Sequence, residues 1–520
     1  MSIAHFFFAA LLGLSLHAAI SSADTSTVAY DWHVTYISSA CDGVHLTSYG
    51  INGNSSNYAL IEVELGQTVQ VTVTNELDEP TCLHWHGLQQ LVYTFTPERA
   101  STFWWHSHHG TQYAFGLRGP FIVHAPADQQ QSWEQEVASE YTLQLADLYH
   151  GSPGIVPMWD SIVINDLGRY NCTAAAFHGY SECSSDQPLS RFKFQADNKY
   201  RLRLINMAAL APFDFSINGH EFSVVAADSE YLEPSDQITT LRINAGQRYD
   251  VIVEAKAASD SAIGSFWVRA TALHGLPWTA GTAAVAGDGF NYQGLAVIHY
   301  EDDDEADPTS SDWTETTTIN EFEFTPLEVS VLPTVPSDRP SSNYLHFAAP
   351  EKPPLFSIAA GLKTEQLPAT TLARKIEYGK HIEVVLVNDM NEQHPFHMHT
   401  HSPWVVGSGT ASLSDIQAGN LNLKLSGAMK RDVYTIPPCD TDDSGACTNH
   451  GYVVLRFTAD NPGVWIIHCH IDWHLDAGLA MVLVEGEDEL QAAGVDAFAT
   501  SILSVCGTQF TNSTSSNSTA

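Results

Sequence analysis

Histidine is the residue type best able to do chemistry in this chain, because it recurs in pairs separated by a single residue. Alternate residues of a β-strand point to the same side, so each His-x-His pair on a strand presents two imidazoles to one place. Neutral imidazole suits copper, zinc, iron and nickel. Four pairs predict a polynuclear metal site rather than solvated surface histidines, and they are His84/His86, His106/His108, His397/His399 and His468/His470.

The last pair encloses Cys469 and thereby adds a second kind of site. With His394 and His474, the Cys469 thiolate completes a His₂Cys set, which selects copper for electron transfer. A disulfide is the weaker interpretation of Cys469, because a thiolate between two metal-binding histidines is not free to pair. An axial ligand would come from the position of Leu479, and leucine cannot coordinate. The absence of an axial thioether predicts a raised reduction potential.

The histidine pairs belong to an internal repeat, which two constant spacings reveal. Four anchor residues recur at one constant distance along the chain. Gly66, Asn75, His84 and His86 correspond in this way to Gly379, Asn388, His397 and His399. A second spacing relates the segments around the other two pairs. In a third copy, the segment that corresponds to the one ending at Asn75 ends at Asn206. Further along this copy, Phe215 and Ile217 stand at the positions of His84 and His86. Strand-like alternation throughout the chain therefore predicts an all-β protein with three β-sandwich domains.

Charge and composition restrict the possible partners. The 520 residues include 60 acidic and 22 basic side chains, for a net charge of −38. Such a field repels phosphate backbones, so no nucleic-acid partner is expected. A hydrophobic content of 44% is too high for a disordered chain.

The ends of the chain predict a secreted protein. Phe6 to Leu16 form an apolar run followed by small residues, which is typical of a signal peptide over residues 1–23. No later stretch has the apolar length needed to cross a bilayer, and the polar C-terminus predicts no membrane anchor. Glycosylation sequons suit the same compartment and stand at Asn54, Asn171, Asn512 and Asn517.

Four longer motifs resemble the copper-binding signatures of the multicopper oxidases: HWHG, HSHHG, HPFHMH and HCHIDWHLDAGL. The resemblance covers essentially the whole mature chain and is most specific for the fungal three-domain laccases and their ferroxidase-like relatives. It implies cupredoxin-like Greek-key β-sandwich domains that act as a monomer. The implied boundaries are a signal peptide (1–23), a first domain (24–127), a second domain without copper ligands (128–300), an acidic linker (301–315), a third domain (316–506) and a polar tail (507–520).

The resemblance also implies four copper ions and a role for each ligand. His394, Cys469 and His474 would hold the type 1 copper, and His84 and His397 the type 2 copper. The type 3 pair would be held by His86, His106, His108, His399, His468 and His470. Electrons would enter at His474 and cross Cys469 to the cluster that reduces dioxygen to water. Asp472 matches an acidic position that the family uses as a proton relay; the less favoured alternative is a solvated carboxylate or one that orients a histidine.

The first domain departs from the family pattern. In laccases the stretch between the first two copper motifs is about twice as long as here, where the chain passes from Leu88 almost directly to the strand-like LVYTF. The lost part usually contains an acidic residue near the type 2 copper. A skipped exon or a faulty gene structure is favoured over a true deletion, which would leave a chain that binds copper poorly or is inactive.

The eight cysteines bear on the same question. Two pairs are close enough in sequence for local disulfides, Cys172 with Cys183 and Cys439 with Cys447. With Cys469 as a ligand, an odd number of cysteines remains. By the resemblance, a cysteine in the lost segment would pair with Cys506; if the deletion is real, Cys506 could instead pair with Cys41 or Cys82.

The leading functional hypothesis is a secreted laccase-like oxidase that transfers electrons from a small phenolic or aromatic reductant to dioxygen. The segments 429–433, 459–465 and 478–486 resemble the ferroxidase subgroup and keep Fe(II) oxidation open, but no acidic residues that would guide Fe(II) can be placed. Ascorbate oxidases carry methionine where Leu479 stands. A copper-binding homologue without turnover is the remaining alternative.

The donor pocket cannot be assigned from the sequence. Many laccases carry a carboxylate in the second domain that hydrogen-bonds a phenol, and Leu210 stands at that position here. Asp214 is nearby, but the strand alternation around it leaves the direction of its side chain open.

Overall fold

The computed structural model describes most of the chain between residues 26 and 497. Four predicted features fall outside the described residues: the signal peptide, the junction at 89–92, most of the acidic linker, and the tail with Cys506. The described residues are 26–88, 93–151, 158–175, 180, 182–260, 264–273, 291–300, 306–309, 316–328, 330–334, 346–350 and 352–497.

The described residues form β-strands joined by turns and a few short helices. The first unit contains β1 (Thr27–Ser39), β2 (Leu46–Ile51), β3 (Asn54–Ser55), β4 (Ile61–Glu64), β5 (Thr68–Asn75), β6 (Leu83–His86), β7 (Thr94–Phe95), β8 (Ser101–Ser107) and β9 (Arg118–His124). The second contains β10 (Val137–Leu148), β11 (Ser161–Ile164), β12 (Ser190–Lys193), β13 (Lys199–Asn206), β14 (Phe213–Ile217), β15 (Phe222–Ala227), β16 (Glu230–Tyr231), β17 (Thr240–Ile243), β18 (Arg248–Glu254), β19 (Ser265–Ala272) and β20 (Gln293–His299).

The third unit follows the same plan. Its strands are β21 (Ala373–Ile376), β22 (His381–Asn388), β23 (His394–Met398), β24 (Trp404–Ala411), β25 (Val433–Ile436), β26 (Asp440–Thr441), β27 (Cys447–Thr458), β28 (Gly463–Cys469) and β29 (Ala480–Glu485). The α-helices are α1 (Ser132–Glu136), α2 (Cys172–Ala175), α3 (Pro354–Ala359), α4 (Leu413–Ala418), α5 (Asp472–Asp476) and α6 (Glu487–Ala493). No helix among the described residues is long and apolar enough to span a membrane.

The described residues of each unit form two sheets, and in one of these the first four strands have the same order in all three units, while the first unit lacks the fifth strand there. The orders are β4-β9-β8-β6, β12-β20-β19-β14-β17 and β21-β29-β28-β23-β25. In each, the first two strands are parallel and the following pairs are antiparallel. The prediction of three cupredoxin-like β-sandwich domains is confirmed, and the shared order explains the sequence repeat.

Local sequence explains why the repeated strands form. In β5, Val69 and Val71 are buried while Gln70 and Thr72 face outward, which is the alternation of a half-buried strand. The preceding turn needs a left-handed residue, and Gly66 adopts a φ of 94° there. At the matching strand position of the second domain, β14 buries Phe215 and Ile217 completely in its core. The middle copy therefore replaced its histidines with apolar residues.

The cysteines agree with the local pairing that the sequence predicts. Cys172–Cys183 and Cys439–Cys447 form disulfides. Cys41, Cys82 and Cys469 carry free thiols. Cys506 lies outside the described residues, so its pairing with Cys41, Cys82 or a cysteine of a lost segment stays a prediction.

Candidate metal centre

The strand register brings the histidine pairs of each outer domain side by side. In the first domain, β6 and β8 are antiparallel with His84 directly opposite His106. In the third domain, β23 and β28 are antiparallel with His397 opposite His468. Because opposite residues share one face of a sheet, each domain presents its pairs on a single surface.

These two surfaces meet, so that histidines of the first and third domains interleave. Three contacts between ring nitrogens join the domains: His84 Nε2 to His397 Nε2 at 3.2 Å, His86 Nδ1 to His470 Nε2 at 3.2 Å, and His108 Nε2 to His468 Nε2 at 3.4 Å. Within the third domain, His399 Nε2 lies 3.1 Å from His468 Nε2. All eight imidazoles named by the sequence converge on one interface.

The donor atoms separate into groups that could each hold one ion. Three groups consist of histidines whose nitrogens lie within 4.8 Å of one another, and they are His84/His86/His397, His86/His106/His470 and His108/His399/His468. His86 belongs to two of these groups, which shows that the sites are contiguous. One group contains His84 and His397, and the other two divide between them the six histidines that the family resemblance assigns to the type 3 pair.

Backbone hydrogen bonds orient the imidazoles as metal ligands. The Nδ1–H groups of His106, His397 and His468 donate to the carbonyls of Ser107, Asp432 and Cys469 at 2.9, 2.9 and 2.8 Å. This tautomer leaves each Nε2 with a lone pair directed at the cluster. The Nε2 of His106 is buried without a hydrogen-bond partner. Converging lone pairs require a cation between them, so the residues present fit bound copper.

Burial keeps these imidazoles neutral, which is the form that binds metals. It lowers the pKa of His108 to about 4 and that of the other seven well below the ordinary value. Neighbouring imidazoles lower the pKa of His84 and His399 further. The cluster is therefore ready to accept a cation without losing protons first.

The His₂Cys set is also assembled. The Nδ1 atoms of His394 and His474 each lie 3.7 Å from the Cys469 Sγ. Burial lowers the pKa of His394 to about 3 and that of His474 to about 4. Burial raises the pKa of the Cys469 thiol, so a cation is needed to stabilise its thiolate.

Leu479 stands beside this set. Its carbonyl accepts a hydrogen bond from the Cys469 N–H at 3.0 Å, so the backbone holds it next to the thiol. The leucine side chain is half-buried and packs against the main apolar core. A leucine side chain has no atom that can bind a metal, as the sequence predicts.

Asp472 is the first residue of α5, and it lines a small cavity together with His106, His108 and His470. Its side chain is buried, and Oδ2 has no hydrogen-bond partner. Burial raises the pKa of Asp472 well above its usual range, and Asp476 raises it further. A buried carboxyl group therefore faces the histidine cluster.

The other candidate residues have structural partners. His401 Nε2 lies 2.8 Å from Glu485 Oε2, and neither His401 nor His109 belongs to a ligand group. Leu210 is buried, and its N–H donates to Asp147. Asp214 forms an ion pair with Arg242, with Nε–Oδ1 at 2.5 Å. No described hydrogen bond links Leu210 or Asp214 to the His₂Cys set.

Sequence reasoning missed Asp432 as part of the site. Its Oδ1 lies 3.2 Å from His86 Nε2, and its carbonyl accepts from His397. The only sequence signal was its place in the segment 429–433, which we connected with the ferroxidase subgroup and not with ligand positioning.

Comparison with known proteins decides the family. Profiles described as multicopper oxidase match residues 130–303 and 335–489, and a third matches 33–92 and 89–128 in two pieces. Laccase-2 of Pleurotus ostreatus is 30% identical over 485 residues, covering 83% of this chain and 82% of that protein. The chain belongs to the multicopper oxidase family. It is an oxidoreductase of the laccase type, and the family implies that it binds copper.

Solved structures of other proteins share the fold of this multicopper oxidase. A laccase from Botrytis aclada has a TM-score of 0.76 at 25% identity, covering 94% of this chain and 92% of that one. Fet3p, described as a multicopper oxidase that functions in iron import, has a TM-score of 0.75. That likeness covers 92% of this chain and 94% of Fet3p at 22% identity, and it shows the fold alone.

Proposed function

We propose that this multicopper oxidase is a secreted laccase-like enzyme that oxidises small phenolic or aromatic donors and reduces dioxygen to water. Laccases of Pleurotus ostreatus and Phlebia radiata, 30% and 31% identical to it, support this donor class. One observation carries the proposal. Cys469 of the His₂Cys set is peptide-bonded to His468 and His470, which belong to two different groups of the histidine cluster.

The geometry supports one assignment of four copper ions, one to each group. His394, Cys469 and His474 would hold type 1 copper, and His84 and His397 type 2 copper. The type 3 ions would be held by His86, His106 and His470 and by His108, His399 and His468. Bound in these sets, copper supplies electron acceptance at the type 1 site and dioxygen reduction at the cluster.

The chain itself supplies a short, fixed connection between the two sites. His474 presents Nδ1 to Cys469 and is half-buried, whereas Cys469 is fully enclosed, so a donor would approach the pair from the His474 side. Cys469 is completely buried, and its carbonyl accepts from the His468 ring. The connection therefore excludes water and needs no side-chain movement.

Asp472 would serve as the proton relay. It is the carboxyl group that shares a cavity with the cluster histidines, and burial favours its protonated form. Asp472 would hold a proton at Oδ2, in a carboxyl group that lines the cavity with the cluster histidines, and would donate it as a positioned acid.

Localisation and organisation complete the proposal. We infer the domain boundaries given by the sequence, cleavage of the signal peptide over residues 1–23, and a monomeric secreted product. Asn54 and Asn171 are exposed, as glycosylation there requires.

Turnover of a phenol, Fe(II) and ascorbate by the purified, copper-loaded protein tests the function. We expect an intensely blue protein that oxidises the phenol with consumption of dioxygen. Cys469→Ser should abolish both the colour and the turnover while the fold is kept. A blue protein that leaves the phenol unoxidised would contradict the proposed donor.

Fe(II) oxidation is a second candidate because of one carboxylate. Glu392 Oε1 lies 3.5 Å from His394 Nε2, and both side chains are buried. An acidic group beside a type 1 ligand is the feature that the sequence could not place. If Fe(II) is the donor, Glu392→Gln should raise the KM for Fe(II) and leave that for a phenol unchanged.

The short first domain bears on whether the chain is active. The family profile matches the first domain in two pieces that meet at residues 89–92, which supports a missing segment. His84 and His86 nevertheless reach the cluster from the strand that ends before this junction. We therefore propose that the chain as given can bind its copper, and sequencing the transcript across residues 88–91 decides whether a segment is lost.

A further inference from the structure

A second cavity is lined by residues of all three domains, among them Trp473 and Asp476 of α5, and by none of the eight cluster histidines. Its volume is about 740 Å³, within the range of small-molecule sites. His45, Thr47 and Asp476 on its rim are exposed, so it opens to solvent. His474 is not among its lining residues, which separates it from a donor site at the His474 ring.

Aromatic side chains from all three domains line this cavity. The rings of Tyr36 and Tyr49 in the first domain lie 5.5 Å apart. Tyr149 of the second domain packs edge-on against Trp473 of the third at 5.2 Å, and Phe115 of the first domain lies 6.4 Å from Tyr149. Flat aromatic molecules gain most from such walls, because edge and face contacts add to the burial of apolar area.

Polar groups between the walls suit a hydroxyl substituent. Thr47 and Thr111 line the cavity, and both carry hydroxyls that can donate or accept. His45, Ser48, His150 and Asp476 also line the cavity, so polar groups stand among its aromatic side chains. Convergent polar groups beside aromatic rings are typical of sites that orient a small ligand. A monocyclic phenol can contact both, through its ring and its hydroxyl.

Trp473 connects this cavity to the type 1 ligands. The indole is almost completely buried and touches the cavity at its wall. Its Nε1–H donates to the Tyr149 hydroxyl at 3.2 Å, which fixes the ring. Trp473 is peptide-bonded to His474, whose Nδ1 lies 3.7 Å from Cys469 Sγ. An electron taken up at the cavity wall has a covalent route to that set.

We propose that this cavity is a second donor site, which binds a small phenol and passes its electron through Trp473 to His474. The inference rests on the proposed phenol-oxidase function. The phenol O–H bond breaks, its proton goes to solvent water in the open cavity, and an aryloxyl radical leaves. The electron acceptor is the oxidised type 1 site, which the oxidase activity regenerates.

Binding is tested without turnover in the fully reduced, copper-loaded protein under argon. The chain contains 12 tryptophans, and 5-fluorotryptophan labelling gives each a ¹⁹F signal, with Trp473 assigned by its loss in Trp473→Phe. Guaiacol should shift the Trp473 signal saturably. Thr47→Phe, a change at the exposed rim, should weaken that binding about tenfold. Thr72→Phe is the matched control, since Thr72 is exposed on β5 of the same sheet and outside the cavity.

The electron route has its own measurement. Anaerobic stopped-flow reduction of the oxidised protein by guaiacol should be slower in Thr47→Phe and Trp473→Phe than in Thr72→Phe. A Trp473 signal that guaiacol leaves unmoved, or equal behaviour of the two threonine variants, would overturn the inference. The guaiacol titration is repeated with copper-free protein, so that a cavity that does not bind guaiacol can be told apart from a protein that does not load copper.

Discussion

Arg248 of the second domain binds Asp432 of the third through two parallel hydrogen bonds, with Nη1–Oδ1 at 2.6 Å and Nη2–Oδ2 at 2.7 Å. Both side chains are buried, and the same Oδ1 lies 3.2 Å from His86 Nε2 of the first domain. A carboxylate against the outer nitrogen of a ligand fixes the imidazole's orientation and tautomer. The second domain, whose described residues belong to none of the four ligand groups, thus helps to position the cluster.

Removal of Arg248 should weaken both the fold and the copper site. Arg248→Met leaves the buried Asp432 carboxylate without its guanidinium partner, and removing one partner of a buried ion pair costs about 3 to 5 kcal/mol. We expect thermal unfolding to occur at a lower temperature and the copper content to fall. Arg242→Met is the control, because the Arg242–Asp214 pair is substantially exposed and such pairs contribute little. Equal losses in the two variants would contradict the positioning role of Arg248.

Gly246 should be intolerant of a side chain because the cluster lies against it. A Cβ at this position would come 2.7 Å from His470 Cδ2, and φ is 83°. Gly246→Ala should therefore displace His470 and lower copper content. Gly379→Ala shares the left-handed backbone, at φ 74°, but its Cβ meets nothing within 4 Å. Metal analysis showing full copper in Gly246→Ala would contradict this packing argument.

Asp472→Asn should slow dioxygen reduction and spare electron uptake. The amide keeps the shape of the side chain but cannot transfer a proton, and a positioned acid typically contributes about 10²-fold or more. Stopped-flow mixing should show normal reduction of the blue centre by a phenol and slow reoxidation by dioxygen. Asp236→Asn, at an exposed site in the second domain, serves as the control. Unchanged reoxidation would assign Asp472 to orienting a histidine instead.

Leu479→Met should lower the reduction potential of the type 1 site. The substitution offers a thioether at the axial position, and axial ligands tune this potential. Leu479→Ile keeps the apolar character and adds no ligand atom, so it separates coordination from repacking. The check is a redox titration of the blue absorption, and a potential that falls equally in both variants would exclude axial coordination.

The ligands were predictable because their information is local. A His-x-His pair needs only the alternation of one strand, and the repeat places His84 and His397 at equivalent positions of two copies. Arg248 and Asp432 lie on different domains, and no His-x-His pair stands next to either of them in the sequence to mark it as part of the site. The same holds for the cavity beside α5, where Tyr49, Tyr149 and Trp473 come from three domains. Such features depend on domain packing, which strand periodicity does not encode.

Four groups of side chains on this chain are each proposed to hold a copper ion. The most direct test is copper analysis with the visible spectrum of the purified protein and of Cys469→Ser. We predict about four coppers per chain and an intense blue colour for the natural sequence, one ion for each ligand group. Cys469→Ser should be colourless and should lack one copper. A colourless natural protein, or one that binds only a single copper, would contradict the account.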